Sequence, residues 1–313
     1  MPVDTSPPAA TAVRAEPFIA RQEWPTVALF TGCLAIWAVA LTLPAGWGML
    51  SYSLLVFSLV LHASLTHEII HGHPFSKVWA CTALGLGQPG LFVPYLRFKE
   101  QHLAHHYDAF LTDPYDDPES NYLDPEVWER MGRARQAICL ANNTLIGRII
   151  LGPVLGMGAF IWADVRLIFA GDRKVLGHWL AHVPGVLGVL WIVSLSAVPI
   201  WSYLLACYGA LAVLKIRTYA EHRAHLRASA RTVVIEDRGI LGFLFLFNNF
   251  HVVHHVHPQV CWYQLPALYR SQRERFLQRN QGYVFASYRD VFRQYFWRRK
   301  DPVPHPYWRG RER

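Results

Sequence analysis

The sequence predicts an all-α, polytopic membrane bundle of about four transmembrane helices in two hairpins, with a cytoplasmic histidine-rich cap. Three observations carry that prediction. Of the 313 residues, 52% are apolar, above what a soluble domain needs. The charges are segregated: no Asp, Glu, Lys or Arg occurs from Trp24 through His67, nor from Val175 through Leu214. Each run is roughly twice the length a helix needs to cross a bilayer. Each is also broken near its middle, by Pro44-Ala45-Gly46-Trp47-Gly48 in the first and Pro199 in the second.

A hairpin returns the chain to the side it left, so the N-terminus, residues 68–174 and residues 215–313 share one face. From Arg270 to Arg313 there are 12 Lys or Arg against 4 Asp or Glu, which makes that face cytoplasmic by the positive-inside rule and the membrane the inner one. The net charge of +8 then reads as a topogenic and anionic-lipid feature, not a nucleic-acid footprint. Cys33, Cys81, Cys139, Cys207 and Cys261 form no CxxC pair and read as small core residues. Residues 1–24, Pro- and Ala-rich without an apolar leader segment, are expected to be a disordered tail. Residues 25–270 form the membrane domain and residues 271–313 a basic cytoplasmic tail.

In chain order, the second span is expected to run past the membrane as one helix, deliver His67 and His71, and stop at Gly72 and Pro74. Residues 78–96 are uncharged but interrupted by Gly85, Gly87, Pro89, Gly90 and Pro94, which predicts a re-entrant or interfacial segment. A short helix carries the second histidine box and closes at Leu111-Thr112-Asp113-Pro114. Asp113, Asp116, Asp117 and Glu119 then read as a solvated turn, with a donor-docking patch or a lid as the functional alternative. Residues 149–163 are apolar, Gly-rich and only 15 long, and predict an amphipathic helix at the interface. The fourth span continues through Arg217 to His225. Residues 239–255 form an apolar helix into the last box, ended by Pro258.

The chemistry lies in nine histidines. His67 and His71 form HExxH; His102, His105 and His106 form HxxHH; Glu221 and His222 form EH; His251, His254 and His255 form a second HxxHH. Histidines at i, i+3 and i+4 leave one helical face, so each box presents an edge to a metal. Imidazole suits several metals, so ligand type alone does not choose one. A lone zinc takes about four ligands, whereas nine histidines serve two metals with positions left open. Taken alone, His67-Glu68-Ile69-Ile70-His71 also fits a membrane zinc metalloprotease with Glu68 as general base, but the two HxxHH boxes are then unexplained. A metal-binding membrane protein without catalysis is a further alternative. Glu68, Glu221, Asn248 and Asn249 are expected to stand behind the ligands, Glu68 fixing an imidazole tautomer. For Glu221, pairing with Arg217 or Arg223 is an equal alternative. His62, His178, His182 and His305 read as hydrogen-bonded interfacial residues, and His73, His225 and His257 are left outside the ligand set.

These boxes, with the intervening hydrophobic hairpin and Asn248-Asn249-Phe250 before the last, resemble the membrane fatty acid desaturase and hydroxylase superfamily over roughly residues 50–270. His71-Gly72-His73-Pro74 and the segment Leu111 to Ser120 are similar to its bacterial branch, which includes hydrocarbon oxygenases. The resemblance implies a four-span bundle, a non-haem diiron centre of two Fe2+ ions held by the nine histidines, and O2-dependent attack on an unactivated C–H bond of a lipid or acyl chain. A fatty acid desaturase is the first expectation. The HxxxH spacing of the first box, where many acyl desaturases have HxxxxH, keeps a hydroxylase or monooxygenase of alkane, lipid or carotenoid type open. The sequence holds no flavin, NAD, iron–sulfur or cytochrome signature, so an external ferredoxin- or rubredoxin-type donor with its reductase is implied, and Arg298, Arg299 and Lys300 are expected to dock it.

Overall fold

The computed structural model describes residues 23–308 and 310. The expected disordered segment lies outside these, apart from Glu23 and Trp24. Helix α1 (Trp24–Thr42) opens with Pro25 in its first turn, where a missing N–H does no harm. The Pro44–Gly48 break turns the chain into α2 (Gly48–Ile70), which reaches the first box as expected. Cys33 Sγ donates to Ser58 O at 3.2 Å and Ser51 Oγ to Ala40 O at 2.7 Å, an antiparallel register. Between membrane helices, such bonds and close packing supply the association that lipid withholds, at about 0.6 kcal/mol each.

Helix α3 (Val78–Leu86) and α4 (Tyr95–His105) form a hairpin over the segment expected to be re-entrant or interfacial. Nine residues are too few to cross a bilayer. The turn between them penetrates the bundle, with Pro89 O accepting from Tyr203 Oη at 2.7 Å and Leu91 O contacting His182 Nε2 at 2.6 Å. Gly85 permits this fold-back: a Cβ there would lie 2.4 Å from the ring of buried Tyr95.

After α5 (Pro125–Glu129) and α6 (Arg133–Asn142) come α7 (Leu145–Phe169), α8 (Arg173–Ser194) and α9 (Ile200–Ala220). Among the described residues, five helices are long and apolar enough to cross a membrane: α1, α2, α7, α8 and α9. The fifth is α7, which exceeds the 15 residues expected of it. Its two ends, however, are tied to elements that carry or lead into the histidine boxes. At its start Asn143 O accepts from Tyr219 of α9 at 3.0 Å. Near its finish Asp164 pairs with Arg97 of α4 at 2.8 Å.

Two expected helices are shorter. Helix α9 stops at Ala220, and His222 bridges Thr232 in an extended segment, so no helix continues to His225. The segment 239–255 is broken into α10 (Ile240–Leu244) and α11 (His251–Val256). Leu246 and Phe247 between them have φ of 50° and 53°. Such left-handed residues cost roughly 1–2 kcal/mol each, and Leu246 N–H to Phe243 O and Phe247 N–H to Gly242 O hold them. The C-terminal segment packs onto the cap through α12 (Leu265–Ser271), α13 (Arg273–Arg279) and α14 (Tyr288–Tyr295). Strand β1 (Val234–Ile235) pairs in parallel with β2 (Val284–Phe285).

Candidate metal centre

Four segments converge at one end of the bundle: the close of α2, the second half of α4, the chain after α9, and α11. All nine predicted histidines meet there, in two groups. One holds His67, His71, His102, His106 and His254; the other holds His105, His222, His251 and His255; within each, the ligand nitrogens lie within 4.8 Å of one another. Each HxxHH box is divided. Helix α4 gives His102 and His106 to the first group and His105 to the second; α11 gives His254 to the first and His251 and His255 to the second. On the shared face i+3 lies about 60° to one side of i and i+4 about 40° to the other, so the two part toward different groups. The groups abut, with the rings of His106 and His255 stacked at 4.4 Å.

The nitrogen spacing carries the chemistry. In the first group Nε2–Nε2 separations are 3.1 Å for His71–His102, 3.0 Å for His102–His106 and 3.2 Å for His106–His254. In the second they are 2.9 Å for His105–His222, 3.0 Å for His222–His251 and 3.2 Å for His251–His255. Two nitrogens bound at right angles about 2.1 Å from one metal are about 3 Å apart. Protons do not explain the pattern as well. Glu119 Oε1 accepts from His102 Nδ1 at 2.9 Å and Asp117 Oδ1 from His105 Nδ1 at 2.7 Å. In a neutral ring that leaves Nε2 as a bare lone pair facing other lone pairs. His67 Nε2 is likewise buried without a hydrogen-bond partner. A cation satisfies all of them, so the donor set fits metal.

The electrostatics agree. Burial, with the charge of neighbouring imidazoles, holds His71, His222, His251 and His254 well below the usual histidine range, and lowers His106 also. These rings are neutral, the form that ligates. His105 is the exception: burial opposes its charge, but Glu119 and Asp117 outweigh it and lift the ring to about 9. Glu119 is in turn held well below its ordinary range, burial being overcome by His105 and His102. The two carboxylates therefore call for a positive charge at the seam between the groups.

Asp117 and Glu119 are the residues that the sequence reading missed. Asp117 is 5% exposed, accepts the Thr112 N–H at 2.8 Å as well as His105, and is no solvated turn. Glu119 reaches both groups, its Oε2 lying 3.9 Å from His105 Nε2. The available signal was their place, one Pro-restricted turn after the second box.

The expected supporting residues divide. Asn248 Oδ1 lies 3.2 Å from His251 Nδ1, at the position foreseen. Asn249 does not reach a histidine; its amide donates to Ile235 O and Asp237 O. Glu221 pairs with Arg217 at 3.1 Å and stands 3.8 Å from His251, so both of its readings hold geometrically. Glu68 Oε1 is 3.6 Å from His67 Nδ1, beyond a hydrogen bond, and Oε2 accepts the Trp262 N–H at 3.1 Å. A general base would need to face the metal, so the protease reading gains nothing here.

Lys300 corrects the docking expectation. It is inside the cap, bound to Asp301 at 2.7 Å and to His222 O, leaving Arg298 and Arg299 exposed. His73 and Cys261 form a third buried cluster with Glu23, where His73 Nδ1 bonds Glu23 directly and burial is outweighed by Cys261 and Glu23 to lift His73 to about 10. That cluster clasps the start of α1 to the loops that follow the first and last boxes.

Compared with known proteins, the chain matches a family model described as fatty acid desaturase over residues 41–287. No curated protein matches it. The matched span covers most of the chain and contains all four boxes.

Proposed function

The chain belongs to the fatty acid desaturase family, within the membrane desaturase and hydroxylase superfamily, and we propose from its site that it is an O2-dependent diiron desaturase of a lipid or fatty acyl chain. The observation that carries this reading is the pair of histidine groups with polyhedral nitrogen spacing. The five-histidine group would hold one iron and the four-histidine group the other, Glu119, Asp117 and Asn248 fixing the rings that bind them. Bound there, two Fe2+ ions supply O2 activation strong enough to attack an unactivated methylene.

The protein supplies the rest. Asp117 and Glu119 hold the protons of His105 and His102 on Nδ1, so that each Nε2 stays a donor. Helices α2 and α9 run from the apolar layer to the site and set the position of an alkyl chain against it. The membrane reading comprises α1, α2, α8 and α9 as four spans, with α7 lying along the histidine-side interface because both of its ends are tied there. The excess of Lys and Arg at that end supports a cytoplasmic site at the inner membrane.

Mass spectrometry of total lipids from an expressing host, wild type against His105→Ala, tests the reaction. A product 2 mass units lighter than its parent, absent from the variant, is expected; one about 16 units heavier would instead make the protein a hydroxylase. Electrons come from an external ferredoxin- or rubredoxin-type donor, docking at Arg298 and Arg299. In inside-out vesicles, replacing both arginines by Gln should raise the donor KM with little change in kcat. An unchanged KM, or turnover only in right-side-out vesicles, would remove the dock or the orientation.

A further inference from the structure

Eight of the nine histidines stand on a helix or at its cap. His222 does not: α9 ends at Ala220, and His222 lies in the extended segment that bridges Thr232. Within its group, the rings of His105 and His251 are steadied at Nδ1 by Asp117 and Asn248. The Nδ1 of His222 is buried with no hydrogen-bond partner among the described residues. A ligating imidazole ordinarily gives its second nitrogen to such a partner, which fixes the ring. Here the backbone is left to do it.

That backbone is gripped from both sides. On one, Val233 N–H donates to Glu221 O at 3.0 Å and Arg223 N–H to Arg231 O at 2.9 Å. On the other, Lys300 Nζ donates to His222 O itself. A charged donor makes a bond roughly twice as strong as a neutral one. The Lys300 side chain is 9% exposed and is held by Asp301 at 2.7 Å. Asp301 Oδ2 accepts from Tyr122 Oη at 2.6 Å, and Tyr122 Oη accepts the N–H of Ala224, just past His222, at 2.8 Å. The chain bearing Lys300 is anchored in turn. Lys300 N–H donates to Asn143 O at 3.2 Å, Leu123 N–H to Val303 O at 2.9 Å, and His305 N–H to Leu123 O at 2.8 Å. Among the described residues, none of these bonds reaches a histidine of the five-membered group.

We propose that Lys300 is the positioning residue for His222: its ammonium, braced by Asp301 and Tyr122, fixes the His222 carbonyl and so sets the ring that the four-histidine group needs to hold a metal. Lys300 touches neither metal nor substrate. The inference rests on the two-metal reading of the histidine groups. It accounts for the inward turn of Lys300 at the end of a basic run whose Arg298 and Arg299 are exposed.

The test uses full-length, detergent-purified wild type, Lys300→Met, Lys300→Arg and Tyr122→Phe. Iron is withdrawn with graded chelator, and hydrogen–deuterium exchange is measured on the metal-free chains. Methionine keeps an unbranched stem without the donor, arginine keeps a charged donor, and phenylalanine removes a single hydroxyl. Lys300→Met should lose one of its two ions at about tenfold lower chelator concentration, the other leaving as in wild type. Tyr122→Phe should shift the same ion by less, and Lys300→Arg should hold it more tightly than Lys300→Met. Two backgrounds identify that ion: Lys300→Met should weaken the remaining ion in His106→Ala and leave it unchanged in His255→Ala. Metal-free Lys300→Met should exchange faster than wild type at residues 221–224 and unchanged at residues 251–256. Both ions retained as in wild type, both weakened equally, or faster exchange along the whole chain would overturn the proposal. A wild type that holds fewer than two irons, with the local exchange difference present, would fault the two-metal reading and leave Lys300 as the brace of His222.

Discussion

The two histidine groups differ in how they are built. The first has five donors but thin support behind them: among the described residues, only His102 of its rings has a carboxylate within hydrogen-bond distance, and Glu68 stands 3.6 Å from His67. The second has four donors and firmer backing, with Asp117 on His105 at 2.7 Å, Asn248 on His251 at 3.2 Å and Glu221 at 3.8 Å. Donor number and donor anchoring thus trade against each other. The group with fewer nitrogens is the one whose rings are held by more neighbours.

The largest expected effect separates the groups by ligand. His106→Ala and His255→Ala should each reduce turnover by more than the roughly 10–100-fold that loss of an outer partner brings, and iron per chain should fall below two. A His255→Ala protein with two irons and full activity would mean that the four-membered group is not a metal site. Next come the carboxylates. Asp117→Asn should weaken iron binding in the second group by about 10–100-fold in chelator competition, and Glu119→Gln chiefly in the first. Equal loss from both groups in Asp117→Asn would dissolve the distinction. The smallest effects lie with the two asparagines. Asn248→Ala should lower iron affinity severalfold with a small change in melting temperature. Asn249→Ala should leave affinity alone and destabilise the fold, because the buried Ile235 carbonyl loses its donor at about 1–3 kcal/mol and the part-buried Asp237 carbonyl loses a second. The reverse result for either would show that the histidine contact at 3.2 Å is incidental.

What the sequence made legible was local. Charge-free runs with a proline break mark α1–α2 and α8–α9, because lipid forbids unpaired charge and a broken helix must turn. The nine histidines were legible because the 3.6-residue period groups them without knowledge of the fold. The rest depended on distant contacts. Asp117 and Glu119 look like any Asp-Pro turn until Thr112 and the second box close around them. The left-handed Leu246 and Phe247 carry no glycine to announce the break before α11. Strand β1 meets β2 across fifty residues, so a segment that reads as a basic tail is part of the cap. The length of α7 was underestimated because Arg148 and Asp164 bound its apolar stretch, yet both lie within the helix.

The divided boxes have a consequence for assembly. Since α4 and α11 each contribute to both groups, a first ion bound as proposed would fix both helices and orient the three rings they present to the second position. The ordering entropy of the second site is then already spent, and its affinity rises without any new contact. Under the proposed two-metal reading, loading should therefore be cooperative, the chain passing from empty to doubly filled with little singly loaded protein between.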